Sequence, residues 1–257
     1  MSEAFRIKGQ LETLETNLDS LWNLGCEGVW QDGDEVVAYF SERLDLPLEG
    51  SWERVDDETY VERYYADLKP VYLDKLVVAP THKEVSLRAG QKPLWLDPGM
   101  AFGTGHHETT KLALQALESI DLFKKDVLDI GAGSGILAIA ADLLGAARAH
   151  GVDNDPETLA VAQENCVLNG SRATFAVGTV QDVPSDSADV IAANLFAELH
   201  VQLAAEYHRV LRGGGWLFVT GIMNEKLEAV LEALTPQFEI DRVVQEGEWS
   251  LVGAKPL

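Results

Sequence analysis

Cysteine is nearly absent from this chain: Cys26 and Cys166 are the only two in 257 residues, and they lie far apart with no second metal-type partner nearby. That usage argues against a disulfide framework and a zinc knuckle, and leaves two small buried hydrophobes as the expectation. Long apolar runs are missing as well. No stretch approaches the roughly 18 continuous apolar residues needed to span a bilayer. The opening "MSEAFRIKGQ" also lacks the apolar core of a secretory leader. A soluble, cytoplasmic protein with no membrane partner is expected. Positive charge is the third scarcity, with 20 Lys and Arg against 42 Asp and Glu, a formal net charge of -22. A field of that sign repels phosphate backbones and attracts basic partners, so nucleic acid is a poor direct substrate. Residues 1–69 hold 17 Asp or Glu and 6 Lys or Arg, and thus 11 of the 22 net negative charges. Such a segment suits recognition of a cationic partner, although acidity for solubility alone gives the same count.

The hydrophobic content of 46% supports a real core, and the length fits one large domain or a large one plus a small one. Residues 1–55 read as a small α+β unit: alternation in "AFRIKGQL", an amphipathic stretch through Leu11, Leu14, Leu18 and Leu21, then strands in "EGVWQDGDEVVAYF" with Asp32-Gly33 as the hairpin signal. Residues 56–70 read as a linker helix. Asp56 or Asp57 would cap it, Pro70 would stop it, and the Tyr60, Tyr64 and Leu68 stripe would serve for packing. From residue 71 to 257 strand-like and helical runs alternate: "LWLD", "HETTKLALQALESI", "DVLDIGAG", "GILAIAADLLGA", "RAHGVDND", "PETLAVAQENCVLNG", "TFAVGT", "ADVIAANLF", "GGWLFVTGI", "NEKLEAVLEAL" and "FEIDRVVQEGEWSLVGA". Alternation of this kind implies a mostly parallel sheet covered on both faces. The last two strands, separated only by "QEGE", should form an antiparallel hairpin at its edge.

The most informative run is "VLDIGAGSGILAIA", an apolar strand entering glycines and then an apolar helix. Gly131, Gly133 and Gly135 leave room for a ligand on the backbone. A dinucleotide fingerprint would want glycine where this chain has Ile136, which disfavours a nicotinamide-dependent oxidoreductase. The observed Asp-x-Gly-x-Gly-x-Gly, from Asp129, suits a compact zwitterionic tail that needs both a donor and an acceptor. Asp153 follows 22 residues after Gly131, where a carboxylate can accept both ribose hydroxyls of an adenosine. Asp155 is the expected cap of the next helix, with Pro156 in its first turn. Asp182, in "GTVQDVP", could meet an adenine amino group, or be a surface turn residue. Asn194 ends the fourth parallel strand, where ligands of doubly wound folds bind. Its carbonyl oxygen can accept from an amine and aim the lone pair at an electrophilic methyl group, although a helix cap would use the same residue type.

Residues 98–110, "PGMAFGTGHHETT", combine three glycines, two histidines and a glutamate. A zinc-protease pattern would need histidine where Lys111 stands, and no phosphate-loop pattern fits these residues. No metal is expected. What remains is a loop, Met100 to His107, leading into a helix.

"DIGAGSG", "GVDNDP", "ANLFAELH" and above all "PGMAFGTGHHETT" resemble the ribosomal protein L11 methyltransferases, the PrmA family. The resemblance covers nearly the whole chain. It implies a class I methyltransferase domain, an α/β Rossmann-like fold, behind a ferredoxin-like substrate-binding domain. It also implies S-adenosylmethionine as cofactor, and methylation of lysine ε-amino and N-terminal α-amino groups of a basic ribosomal stalk protein by a monomeric enzyme. Carried over by motif, the cofactor contacts fall on Thr110, Gly131, Asp153 and Asn194, and the glycines 133 and 135, Asn154 and Asp182 belong to the same expected site. Phe102, in the loop, would shield the sulfonium from water as part of a lid. His107 or His106 could relay the proton that a lysine amine must lose, or simply position the loop. Asn194 is followed by "LFA" where many amino-methyltransferases have a Pro-Pro-aromatic run, and residues 41–55 look too short for a full second helix, so the ferredoxin-like unit would be abbreviated. Other readings remain: another basic protein as substrate, or a non-catalytic cofactor-binding module in ribosome assembly.

Overall fold

Gly33 adopts a left-handed φ of 63° and, with Asp34, forms a two-residue loop between the paired residues Asp32 and Glu35. The hairpin therefore turns one residue later than the Asp-Gly signal suggests, with glycine supplying the positive φ such loops require. The computed structural model describes residues 2–9, 21, 24, 26, 28–40, 43–55, 68–81, 83–96 and 107–257. They fall into two units, Met1–Asp67 and Leu68–Leu257.

In the first unit β1 (Ser2–Lys8), β2 (Gly28–Asp32), β3 (Glu35–Phe40) and β4 (Ser51–Val55) form an antiparallel sheet in the order β2-β3-β1-β4, that of a ferredoxin-like unit. Alternation places Phe5, Ile7, Val36, Ala38 and Phe40 in one core with Leu21 and Cys26. No helix occupies residues 43–50. Pro47 removes a backbone donor there, and Leu44, Leu46 and Leu48 pack on the core without helical periodicity. Trp52 completes it, its ring 5.0 Å from Phe5 and 5.4 Å from Phe40. The amphipathic stretch from Leu11 to Leu18 and the linker-helix residues 56–67, with Tyr60 and Tyr64, lie outside the described residues; Leu21 is helical and buried.

The second unit begins with a small sheet that the run-by-run reading did not separate: β5 (Val71–Tyr72), β6 (Leu76–Pro80) and β7 (Lys92–Leu96). After α1 (Glu108–Glu118) come β8 (Asp126–Ile130), α2 (Ile136–Leu143), β9 (Arg148–Asp153), α3 (Pro156–Leu168), β10 (Thr174–Val177) and β11 (Ala188–Asn194). The chain then closes with α4 (Ala197–Val210), β12 (Leu211–Met223), α5 (Leu227–Leu234), β13 (Phe238–Glu246) and β14 (Trp249–Pro256). The large sheet runs β10-β9-β8-β11-β12-β14-β13, parallel from β10 to β12. β14 inserts antiparallel between β12 and β13, so the expected edge hairpin forms with its last strand turned inward.

β8 and β11 are almost continuously buried because both faces of a parallel sheet are covered. One side packs α1 and α2 with the small sheet through Leu76, Leu94, Leu114 and Ile139; the other packs α4 and α5 through Tyr207, Val210, Val230 and Leu234. Glu118, at the end of α1, turns its buried carboxylate to the backbone N–H groups of Asp74 (3.1 Å), Lys75 (2.8 Å) and Leu76 (2.7 Å), clamping the small sheet to the helix. Cys26 and Cys166 are buried and in no disulfide, and Cys166 donates to the Ser171 and Ala173 carbonyls at 3.2 Å. Among the described residues no cluster could hold a metal, and no helix is long and apolar enough to cross a membrane.

Candidate active site

The carboxyl ends of β8, β9, β11 and β12, the first turn of α1 and the first residue of β14 surround one cavity of about 500 Å³. Ligands of open α/β sheets bind at such ends because the loops diverge there. Six of the expected site residues line it: His107, Thr110, Gly131, Gly133, Asp153 and Asn194, and Asn154 is a seventh.

The glycine turn is shaped by contact and by conformation. Gly131 has φ 74°, and a Cβ on it would stand 2.4 Å from Leu195 Cδ2, in the loop after β11. Four of the loop amides are already spent: Gly131 and Ala132 donate to Val152 O at 2.9 and 3.1 Å, Gly133 to Asp153 Oδ2 at 2.8 Å and Gly135 to Ala132 O at 2.7 Å. What these residues offer a ligand is thus space and acceptors rather than a row of free donors. Gly135, with φ 78°, opens α2 beneath Phe175, 2.7 Å from where a Cβ would sit, and supports the turn from behind rather than lining the cavity. Asn165 fixes the same turn by donating to Ser134 O at 3.0 Å.

Asp129 begins the glycine motif and was not singled out as a ligand from sequence. It is buried at the cavity wall, with Oδ2 accepting from Ala138 N at 3.1 Å and Oδ1 without a partner among the described residues. Desolvation pushes its pKa up to about 7; the Ala138 N–H opposes this, and the nearby Asp153 charge adds to it. Asp153 spans two backbone donors, Gly133 N at 2.8 Å and Asp155 N at 3.0 Å. Asp155 caps α3 through Glu157 N at 2.9 Å, with Pro156 in the first turn, as the sequence pattern implied.

Asp182 is not among the cavity-lining residues. Its Oδ2 accepts from Thr179 N at 2.9 Å and from Thr179 Oγ1 at 3.2 Å, a capping box that closes the turn after β10. His107 is the N-cap of α1: its ring accepts from Thr109 N at 3.3 Å and meets Thr109 Oγ1 at 2.8 Å, while its edge faces Trp249 at 5.0 Å. Phe102, His106 and every residue of the Met100 to His107 loop except His107 lie outside the described residues. Asn194 donates to the buried Thr110 hydroxyl at 3.4 Å, and its Oδ1 faces Gly221 at the end of β12. The cavity rim adds Leu195, Phe196, Leu199 and Trp249. Phe196 is 72% exposed, an uncommon position for a phenylalanine and one that sequence periodicity could not flag.

Sheet order, glycine turn, acidic end of β9 and asparagine end of β11 together define a class I methyltransferase, whose methyl donor is S-adenosylmethionine. The family model described as ribosomal protein L11 methyltransferase (PrmA) matches residues 12–256. The chain belongs to that family. The ribosomal protein L11 methyltransferase of Thermus thermophilus is 44% identical over 251 residues, covering 96% of this chain and 97% of that one. The Deinococcus radiodurans protein of the same description is 41% identical over 268 residues, covering 98% of each. A crystal structure of a ribosomal protein L11 methylase from Lactobacillus delbrueckii subsp. bulgaricus superposes with a TM-score of 0.67 at 32% identity, over 74% of this chain and 99% of that one.

Proposed function

We propose that this chain transfers methyl groups to lysine ε-amino and N-terminal α-amino groups of ribosomal protein L11, in the cytoplasm. The observation that carries this reading is the position of Asn194: its side-chain nitrogen is committed to Thr110 Oγ1, which leaves the carbonyl oxygen as a neutral acceptor at the cavity wall. A neutral acceptor hydrogen-bonds an amine without forming the salt bridge that would keep it protonated and unreactive. The relatives named above supply the substrate.

The residues fit the donor. Asp129 Oδ1, a buried acceptor in need of a partner, suits an ammonium group; the backbone of Gly131 and Gly133 along the cavity wall suits the methionine chain; Asp153 and Asn154 suit the ribose. When bound, S-adenosylmethionine supplies a methyl group on a positively charged sulfur, which leaves as a neutral thioether. Asn194 aims the amine lone pair along the line of attack, a contribution of orientation. Leu195, Phe196 and Trp249 give the cavity an apolar lining, and an apolar surrounding favours the neutral amine over the ammonium. His107, its ring bound to Thr109, positions the start of α1 and its neighbour Thr110.

The first unit is the substrate-recognition domain. Its exposed carboxylates at Asp34, Asp45, Glu49 and Glu53 give the acidic surface a basic ribosomal protein needs. The test is Asn194→Ala: the reading expects donor binding to survive and methylation of L11 to fall by about 100-fold. Full turnover in that variant would remove the acceptor role.

A further inference from the structure

One residue of the "ANLFAELH" motif has no part in the chemistry above. His200 lies on α4, fully buried. Its Nε2 donates to Thr220 O at 2.8 Å, and since a carbonyl only accepts, Nδ1 is the acceptor for the Tyr207 hydroxyl at 3.0 Å. Thr220 O receives a second donor, Leu195 N at 3.0 Å. One carbonyl of β12 therefore joins the turn that carries Asn194 to the helix behind it. The next residue is Gly221, with φ 85°, where a Cβ would stand 2.3 Å from Leu195 O and 3.1 Å from Asn194 Oδ1. Thr220 also ties this joint to β14, its hydroxyl donating to Ser250 O at 3.1 Å.

A histidine and a tyrosine are costly choices for this place. Both are desolvated beside a cluster otherwise built from alanine, valine, leucine, isoleucine and Phe238, where apolar residues of similar volume would pack without a polar penalty. Burial holds the imidazole pKa down at about 4, with the Thr220 and Leu195 backbone groups opposing, so the ring is neutral and fixed in one tautomer. Both ring nitrogens are taken by fixed partners, Thr220 O and the Tyr207 hydroxyl, so what the ring supplies is geometry.

We infer that His200 is the positioning residue of the acceptor side: through Thr220 O it holds the Asn194-Leu195 turn against the end of β12, so that the Asn194 carbonyl oxygen meets the incoming amine. This rests on methyl transfer at Asn194. The test compares full-length wild type with His200→Leu, His200→Gln and Tyr207→Phe. Four readouts are taken: donor affinity by calorimetry, kcat and KM for L11 methylation, thermal unfolding, and the NMR resonances of the Asn194 side-chain amide. In His200→Leu kcat should fall by about 10- to 100-fold, with donor affinity kept and the Asn194 resonances moved. His200→Gln, whose amide nitrogen can donate to the same carbonyl, should restore most of kcat and return the resonances. Tyr207→Phe should fall between them. A His200→Leu or Tyr207→Phe protein with wild-type kcat and unmoved Asn194 resonances overturns the inference, as does a kcat loss that only follows the loss of folded, donor-binding protein. If wild type binds the donor yet leaves L11 unmodified, the parent reading fails; the Asn194 resonances still decide the role of His200.

Discussion

Asp153 Oδ2 accepts the Gly133 N–H at 2.8 Å, which makes the acidic end of β9 and the glycine turn after β8 a single piece. The carboxylate thus shapes the cavity as well as lining it. Asp153→Ala loses both roles, and a hydrogen bond to a charged group is worth about 1.5–3 kcal/mol. Donor affinity measured by calorimetry should fall by roughly 10- to 100-fold. Asp153→Asn, which keeps an acceptor for Gly133, should lie between. Unchanged affinity in Asp153→Ala would remove the residue from the donor site.

Two glycines should respond unequally to alanine. At Gly131 the new methyl meets Leu195 Cδ2, the end of a side chain that can move, and the left-handed backbone costs about 1–2 kcal/mol. At Gly221 it meets the Leu195 backbone carbonyl, which cannot yield without carrying Asn194 with it. Gly221→Ala should therefore lose more methyl transfer than Gly131→Ala at equal folded fraction. The reverse order, read by activity and thermal melts, would break the link between β12 and the acceptor turn.

Asp129 predicts a pH dependence whose sign is fixed. Its pKa is about 7 in the folded chain against 3.8 for an unperturbed aspartate, so between those limits the folded protein holds a proton that the unfolded chain has released. Stability of the donor-free protein should fall as pH rises through that window and level off above it; on the order of 4 kcal/mol is the ceiling for this one group. Asp129→Asn should flatten the curve. Donor binding runs the other way, because an ammonium favours the carboxylate. Affinity should be level above about pH 7 and weaken by up to about tenfold per unit below it, and Asp129→Asn should lose that slope. Calorimetric titrations at several pH values check both halves.

Charge reversal on the first unit separates substrate capture from chemistry. Asp34→Lys, Asp45→Lys and Glu49→Lys together change exposed positions only. KM for L11 should rise and its dependence on salt weaken, while donor affinity stays at the wild-type value. Wild-type KM in the triple variant would withdraw the recognition role of this unit.

Local patterns in the sequence carried the parts of the site that local chemistry determines. The strand-glycine-helix turn at Gly131, the Asp155 cap with Pro156 and the end-of-strand positions of Asp153 and Asn194 are each set within a few residues. Helix α4 is hard to read in the sequence because its buried face is Ala197, His200, Ala204, Tyr207 and Val210, a 3.6-residue period written largely in small and polar letters. Trp249 reaches the cavity only because β14 inserts beside β12, a pairing that no local pattern encodes. Gly221 had a readable signal, a glycine interrupting the apolar run "WLFVTGIM", which marks a close backbone approach. Asp182 Oδ2 is tied into its own turn by the Thr179 amide three residues away, a local contact that its position in "GTVQDVP" did not separate from a ligand role.

The measurement that tests the account most directly is intact-mass spectrometry of purified ribosomal protein L11 after incubation with this protein, with and without S-adenosylmethionine, followed by peptide mapping. The account predicts mass steps of one methyl group, present only with the donor, on lysine side chains or the amino terminus and slowed about 100-fold by Asn194→Ala. An unchanged mass, in a preparation shown to bind the donor, would contradict it.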